Sequence, residues 1–171
     1  MTGDDTAMTD DDTPIHETPI HVDHVGIAVE SVEDAAPVLD ALGCERLLDD
    51  TVDGEFRWVY YSLGNASRIE LIEPIAEESF LTAFLERHGP GLHHVTLEVA
   101  DIDATIEQLD TAGVDVVDRK SYAEWTEAFV SPRNATGTLF QLMEYHEAYT
   151  ENTEHDPESL YVGGERLSSE K

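Results

Sequence analysis

The sequence predicts an α+β fold made of two similar βαβββ modules in tandem. An internal repeat is the first reason: HVGIAV at 24–29 aligns with HVTLEV at 94–99, an offset of 70 residues. Near the end of each module, IELIE at 69–73 aligns with FQLME at 140–144. The second reason is apolar periodicity, which switches between strand and helix along each copy. Residues 21–147 are therefore expected to form one domain from two copies of one unit.

The first module begins with a strand predicted over 22–29, where apolar residues are nearly continuous. A helix follows, because apolar residues recur at three- and four-residue spacing at Val32, Ala35, Ala36, Leu39 and Leu42. Ser31 could serve as its N-cap, and Gly43 is expected to end it. Pro37 is tolerated only in a first helical turn, so the helix is expected to begin near Asp34.

Three strands complete the first module, and a linking helix joins it to the second. The strands are expected at 45–52, 55–63 and 67–73, with a hairpin turn at Gly64-Asn65. The linking helix is expected over roughly 77–88, and it ends at Gly89-Pro90-Gly91. These elements place module one at 21–75 and the linker helix at 76–90.

The second module, expected over 91–147, repeats this order. Its first strand is predicted over 92–99, and a helix capped by Asp101 or Asp103 runs to Gly113. Three strands then follow at 114–119, 125–131 and 137–145, with a turn from Asn134 to Gly137.

Acidic, polar segments flank the two modules. Residues 1–20 are rich in Asp and Thr and have few large apolar residues, so we expect a disordered acidic arm. Residues 148–171 are expected to form an acidic C-terminal tail, in which Leu160, Tyr161 and Val162 could dock as one short segment.

The charge of the chain limits its partners. It has 38 Asp and Glu against 9 Lys and Arg, a formal net charge of −29. Such a surface repels phosphate backbones and anionic lipids, so neither nucleic acid nor a membrane is expected as a partner. The best explanation for so many acids is very high salt, which screens charges within about 3 Å at ~1 M. We interpret the chain as a protein of an extreme halophile; an acidic protein from a low-salt organism is the alternative.

Cysteine content and the N-terminal sequence favour a cytoplasmic location. Cys44 is the only cysteine, so neither an intramolecular disulfide nor a cysteine-based zinc cluster can form. The first residues lack the basic region and apolar run of a signal peptide, and no apolar stretch is long enough for a membrane span.

The repeat also predicts a metal site. His24 is matched by His94 on the first strands of the modules, and Glu70 is matched by Gln141 on the last strands. If the two sheets meet with pseudo-two-fold symmetry, these four side chains converge. Two imidazoles, a carboxylate and an amide oxygen suit a divalent ion such as Co, Ni, Zn, Mn or Fe(II), with positions left for a substrate.

A structural role is the alternative for each residue taken singly, since a histidine at a strand edge is more often hydrogen-bonded within the fold than bound to metal. The repeat favours the metal site, because chance would have to match both residue types twice. His93 is matched by Asp23 and is expected to face the other side, in a supporting or structural role. The remaining histidines are expected at the surface: His16, His21, His88, His146 and His155.

These residues and the double βαβββ pattern resemble the vicinal-oxygen-chelate superfamily, which includes glyoxalase I, extradiol dioxygenases, fosfomycin and bleomycin resistance proteins, and methylmalonyl-CoA epimerase. The similarity is greatest to the epimerases. VDHVGIAV at 22–29 resembles their first strand, residues 69–104 their linker and second-module strand, and SPRNATGTLFQLMEY at 131–145 their last hairpin. The resemblance covers about 21–147 and implies a glyoxalase-like pair of mixed-sheet half-barrels.

The resemblance implies a divalent metal held by His24, Glu70, His94 and Gln141, with a thioester carbonyl and a carboxylate of the substrate on its open positions. The implied reaction is an isomerisation in which a proton is removed from the carbon between those groups, with Glu70 as catalytic acid/base. A small-molecule substrate such as an acyl-CoA is the implied partner. Members of this family often form dimers, so a homodimer is one expected assembly.

The sequence departs from the epimerases on the last strand. Their metal-binding Glu is replaced there by Gln141, which cannot carry a proton. A second acid/base, a Glu on the 55–63 strand in some members, falls near Arg57 or Trp58. Glu70 is thus the one clear proton carrier in the inferred site. Compared with the epimerases, the two modules could therefore have exchanged roles, with the first module supplying the acid/base on its last strand.

Two other kinds of protein on this scaffold stay open. One is another enzyme: a glyoxalase-type lyase, or an Fe(II) ring-cleaving dioxygenase that uses His24, His94 and Glu70. The other is a non-catalytic protein that binds a small ligand, as in resistance relatives. Binding of CoA would call for cations near the pocket, and the candidates are Arg57, Arg119, Lys120 and Arg133.

Overall fold

The structure, a computed structural model, describes residues 20–63, 68–134, 137–146, 160–162 and 165–167. The first module contains β1 (His21–Ala28), α1 (Val32–Ala41), β2 (Glu45–Val52), β3 (Phe56–Ser62) and β4 (Arg68–Pro74). The linking helix is α2 (Phe80–His88). The second module contains β5 (Gly91–Glu98), α3 (Ile102–Thr111), β6 (Val116–Ser121), β7 (Trp125–Val130), a 3₁₀ turn (Pro132–Asn134) and β8 (Leu139–Tyr145). No helix in these ranges has the length and apolar character that a membrane crossing needs.

Eight strands form one mixed sheet in the order β2-β3-β4-β1-β5-β8-β7-β6. Within each module the first strand lies parallel to the last, β1 beside β4 and β5 beside β8. The strands β1 and β5 pair antiparallel and join the modules at the centre of the sheet. The predicted α+β fold with tandem βαβββ modules is confirmed, and the two halves share one continuous sheet.

The helix of each module, α1 or α3, packs against the same side of the sheet. Helix α1 packs on Val59, Tyr61 and Leu71, and α3 packs on Ala128, Val130 and Leu142. Because side chains alternate along a strand, the residues between these point to the opposite face. That opposite face, called the open face below, carries the candidate site.

Helix α1 begins earlier than expected. Ser31 Oγ accepts a hydrogen bond from the backbone N–H of Asp34 at 3.2 Å, and the N–H of Val32 donates to Glu73 Oε2 at 2.9 Å. These two caps fix the start of the helix at Val32, so Pro37 lies inside it. The prediction of a start near Asp34 was wrong because capping of the first turn outweighs the hydrogen bond that proline removes.

The C-terminal strands β9 (Leu160–Val162) and β10 (Glu165–Leu167) pair antiparallel in a separate two-stranded sheet. The short segment expected at 160–162 is therefore a strand. Residues 1–19, the turn at Gly64-Asn65 and the rest of the predicted tail lie outside the described residues.

The eight-stranded sheet ends in β2 on one side and β6 on the other. Both edge strands depart from regular pairing. The register of β2 on β3 shifts between Arg46 and Leu48, and that of β6 on β7 shifts between Val117 and Lys120. Within the second shift, Asp118 has a φ of 54°.

The linking helix α2 has one fully buried side chain, Leu81, and truncation of that side chain gives a first prediction. Leu81 is fully buried against Ala28 and Ile72. Leu81→Ala is expected to lower the free energy of unfolding by about 3 kcal/mol, because it removes apolar contacts and leaves a cavity. Denaturant unfolding in molar KCl measures this. Leu42→Ala is the control; Leu42 is 73% exposed, so the loss should be within about 0.5 kcal/mol. Equal losses would contradict the anchoring role of Leu81.

Candidate metal centre

Three buried side chains meet on the open face at the centre of the sheet: His24 of β1, Glu70 of β4 and His94 of β5. Their ligand atoms all lie within 4.8 Å of one another. His94 Nε2 is 3.2 Å from His24 Nε2 and 3.3 Å from Glu70 Oε2, and His24 Nε2 is 3.8 Å from that same oxygen. The fold thus brings together three of the four residues that the repeat singled out.

Strand register explains this convergence through two rows that cross the sheet. One row is Glu70, Gly26 and His94, and the other is Gln141, Thr96 and His24. The repeat relates the rows to each other, with Gly26 and Thr96 in equivalent places. A Cβ atom at Gly26 would collide with the imidazole of His94. Glycine at this position therefore lets the ring of His94 lie across β1 and reach Glu70.

Gln141, the fourth predicted ligand, is joined to the cluster through Thr96. Thr96 Oγ1 donates to Gln141 Oε1 at 2.7 Å and lies 2.9 Å from His24 Nε2. The amide nitrogen Nε2 of Gln141 donates to Glu127 Oε2 at 3.0 Å. A direct role for Gln141 as metal ligand stays a prediction. Sequence reasoning missed Thr96 and Glu127, although alignment of Thr96 with Gly26 marked the former as a difference between the modules.

Asp23 fixes the orientation of His24. Asp23 Oδ1 is 2.5 Å from His24 Nδ1, and because a carboxylate only accepts, Nδ1 carries the proton. The lone pair of His24 Nε2 therefore points to the centre. Arg68 and Tyr145 donate to the second Asp23 oxygen, Tyr145 at 3.2 Å. Burial opposes ionisation, but the hydrogen bond with His24 and the charge of Arg68 hold the pKa of Asp23 below its ordinary value.

His93 has the same place beside His94 that Asp23 has beside His24. The Nδ1 atoms of His93 and His94 lie 3.0 Å apart. Asp23 and His93 are the residues skipped at the two register shifts of the β1–β5 pairing, as at β-bulges. The prediction that His93 faces away from the site was wrong, because the shift brings its ring against His94. Burial and the neighbouring His94 lower the pKa of His93 to about 4, so a neutral His93 can accept the proton of His94 Nδ1.

Glu70 is ionised although it is buried. Burial raises its pKa, but the contacts of the carboxylate with the imidazoles of His94 and His24 outweigh burial and hold the pKa below the ordinary value. Tyr60 lies opposite Glu70 on β3, with its hydroxyl 3.3 Å from His24 Nε2. Burial and the charge of Glu70 raise the pKa of Tyr60 well above its usual value, so its hydroxyl stays protonated.

This donor set fits a divalent transition metal. His24 offers a lone pair, His94 can offer another once its Nδ1 proton is held by His93, and Glu70 adds an anionic oxygen. Two imidazoles and one carboxylate that face one point suit Fe(II), Zn, Co, Ni or Mn, and leave coordination positions for other ligands. The supporting contacts of Asp23 and His93 are those that orient histidine ligands in metal sites.

The proposed CoA-binding cations differ in their surroundings. Arg57 donates to Asp49 at 2.7 Å and to Glu33 at 2.8 Å, and Arg119 donates to Asp103 at 3.0 Å. Lys120 lies opposite Glu127 in the β6–β7 register, and Arg133 lies in the 3₁₀ turn. Among the histidines expected at the surface, His21 and His88 are exposed, whereas His146 is half-buried, with Nε2 2.9 Å from Thr126 Oγ1. His16 and His155 lie outside the described residues.

A double-mutant cycle tests the role of Gly26. Gly26→Ala is expected to lower the free energy of unfolding by about 1–3 kcal/mol, because the added methyl group collides with the His94 ring. In a His94→Ala background the same substitution should cost much less, since the ring is gone. Denaturant unfolding of the four proteins measures the coupling. A penalty that is the same in both backgrounds would show that the collision is not its cause.

Asp23→Asn tests the buried ion pair. It leaves the Arg68 guanidinium buried without a carboxylate, so we expect a loss of about 3–5 kcal/mol in the free energy of unfolding. Asp49→Asn is the matched control, because the pair of Asp49 with Arg57 is partly exposed and should be worth less than about 1 kcal/mol.

The pH dependence of this pair has a defined sign. The folded pKa of Asp23 lies below the unfolded value of about 3.9, so its stabilising effect is complete above that value. The effect is lost as the pH falls through the folded pKa. Unfolding at a series of acidic pH values should therefore show a steeper loss of stability for wild type than for Asp23→Asn; parallel curves would contradict this assignment.

Comparison with known proteins gives the chain a family and close structural relatives. The sequence profile of the Glyoxalase/Bleomycin resistance protein/Dioxygenase superfamily matches residues 23–129. The chain is 34% identical over 127 residues to the uncharacterized protein YqjC of Bacillus subtilis, and the match covers 72% of this chain and 91% of that protein. It is 34% identical over 128 residues to the ethylmalonyl-CoA/methylmalonyl-CoA epimerase of Cereibacter sphaeroides, with coverage of 71% and 95%.

Solved structures show the same relationship. Methylmalonyl-CoA epimerase from Mycobacterium tuberculosis is similar with a TM-score of 0.66 and 29% identity, covering 76% of this chain and 91% of that chain. A variant of the Streptomyces coelicolor methylmalonyl-CoA epimerase, in complex with 2-nitronate-propionyl-CoA, has a TM-score of 0.65 and 25% identity, with coverage of 72% and 95%. Profile, relatives and fold agree that the chain belongs to the Glyoxalase/Bleomycin resistance protein/Dioxygenase superfamily.

Proposed function

We propose that the protein is a metal-dependent isomerase of the methylmalonyl-CoA epimerase type, which removes and returns the proton α to a thioester carbonyl. The observation that carries this proposal is the ionised carboxylate of Glu70 beside the inward nitrogens of His24 and His94 on the open face. A general base must be ionised before it can take a proton.

Under this proposal His24, Glu70 and His94 hold the metal, and Gln141 is the predicted fourth ligand. A divalent ion there supplies positive charge that stabilises the negative charge developing on the carbonyl oxygen of the substrate as the α-proton leaves. Asp23 and His93 keep the two imidazoles in place. Glu70 Oε2 faces both imidazoles, so the second oxygen of this carboxylate is the one assigned to proton transfer.

The substrate class is inferred from the relatives. The Cereibacter sphaeroides relative is an epimerase of ethylmalonyl-CoA and methylmalonyl-CoA, and the Streptomyces coelicolor structure holds an acyl-CoA analogue. We propose that this chain also takes an acyl-CoA with an acidic α-proton. Lys120, on the edge strand beside Glu127, and Arg133, in the 3₁₀ turn, are the cations that we assign to the CoA phosphates, since Arg57 and Arg119 are already paired with acids.

A ring-cleaving Fe(II) dioxygenase is the second candidate function, because the ligand set also suits such an enzyme. Two histidines and one carboxylate with open positions are also the ligands of non-haem Fe(II) oxygenases. Such an enzyme would consume dioxygen with a catechol, whereas an epimerase needs neither.

Two measurements test the proposed function. Protein purified in high salt is expected to contain about one divalent metal per chain, and to exchange the α-proton of methylmalonyl-CoA with deuterium from D₂O. Glu70→Gln should lower this exchange by at least about 100-fold, because the amide cannot accept the proton. Glu78→Gln is the control, an exposed acid between β4 and α2, and should exchange like wild type.

The outcomes separate the two candidate functions. Absence of bound metal would contradict the metal site, and metal without exchange would contradict the epimerase. Iron together with dioxygen uptake on a catechol would favour the dioxygenase.

A further inference from the structure

The proposed reaction needs two proton carriers, and the metal centre supplies one. Loss of the α-proton makes the substrate carbon planar, and inversion requires that the new proton arrive on the opposite face. Glu70 serves one face. This inference rests on the proposed function and concerns the group that serves the other face.

The groups around Glu70 do not meet this need. Tyr60 lies on β3, next to β4, and so flanks the site on the same side as Glu70. Asp23 is held by His24, Arg68 and Tyr145 in a buried ion pair. A second carrier should come from the far side of the β1–β5 centre, where β8 and β7 lie.

Glu127 of β7 lies on that side and on the open face. Its neighbour Ala128 is buried in the core beneath α3, so alternation turns the side chain of Glu127 to the opposite face. Its Oε2 accepts from Gln141 Nε2 at 3.0 Å, and its Oε1 accepts from Tyr122 at 3.2 Å. The carboxyl group is half-buried and held at both oxygens.

The strand order places Glu127 of β7 and Glu70 of β4 on opposite sides of the β1–β5 centre. Gln141 is the counterpart of Glu70 in the second module. Glu127 lies opposite Met143 on the next strand and reaches Gln141 diagonally through the 3.0 Å hydrogen bond. The second module, which has the amide of Gln141 in place of the Glu70 carboxylate, therefore has a carboxylate one hydrogen bond away. The two glutamates lie on opposite flanks of the metal centre.

We propose that Glu127 is the second catalytic acid/base. In one direction the Glu70 carboxylate takes the α-proton; the C–H bond breaks and its electron pair moves into the thioester carbonyl. Glu127, as a carboxylic acid, gives its proton to the opposite face; a new C–H bond forms from the returning electron pair. Glu70 then carries a proton and Glu127 is ionised, and exchange with water restores the starting state. The reverse reaction exchanges the two roles.

Glu127→Gln provides the test, because an amide of the same size can keep a hydrogen bond with Gln141 but carries no proton. In D₂O, the variant should still exchange the α-proton of the epimer that faces Glu70, within about 10-fold of wild type. Interconversion of the epimers should fall by at least about 100-fold. Metal content should be unchanged. Glu127→Asp keeps a carboxyl group and should recover part of the interconversion.

The ratio of exchange to interconversion separates a proton carrier from a structural residue. Damage to the site would lower both rates together, and that result would overturn the proposal, as would wild-type interconversion in Glu127→Gln. Glu124→Gln is the matched control, an exposed acid three residues away, and should keep the wild-type ratio. If the wild-type protein does not exchange the α-proton, the proposed function is contradicted. If the wild-type protein exchanges it and Glu127→Gln shows the wild-type ratio of exchange to interconversion, only the role of Glu127 is contradicted.

Discussion

The antiparallel pairing of β1 with β5 is the contact on which the rest of the site depends. It sets His24 and His94 beside each other, while the parallel partners β4 and β8 bring Glu70 and Gln141 to their flanks. Each module alone holds one imidazole and one carboxylate or amide, which is too few ligands for a metal site. Joining the modules at these strands builds the core of the sheet and the candidate centre in a single step.

The two halves of the site have diverged at equivalent positions. Gly26 leaves room for His94 to reach Glu70, so that side forms a compact cluster of nitrogen and oxygen atoms. Thr96 fills the corresponding place in the other half, where its hydroxyl donates to Gln141 and lies beside His24 Nε2. The same backbone thus supports a cluster of candidate ligands on one side and, on the other, a polar network that includes Glu127.

The repeat and the apolar periodicity were enough to predict the fold class, the element order and the residues that form the three-membered cluster. The errors have a common physical origin in details of pairing and capping. His93 was placed on the wrong face because simple alternation does not reveal a register shift. Helix α1 was started too late because the caps formed by Ser31 and Glu73 outweigh the hydrogen bond that Pro37 removes. Glu127 was missed because its link to Gln141 joins two strands whose pairing only the folded sheet defines.

The register shifts at the two edge strands have a consequence for aggregation. An edge strand presents unpaired backbone groups to which another sheet can add, and charged side chains are one defence against such growth. Concentrated salt weakens that defence, because it screens charges within about 3 Å at ~1 M. The irregular pairing of β2 near Arg46 and of β6 near Asp118 interrupts the straight row of backbone donors and acceptors at any ionic strength. Where salt is concentrated, the irregular pairing of these edges opposes the addition of another sheet more than their charge does.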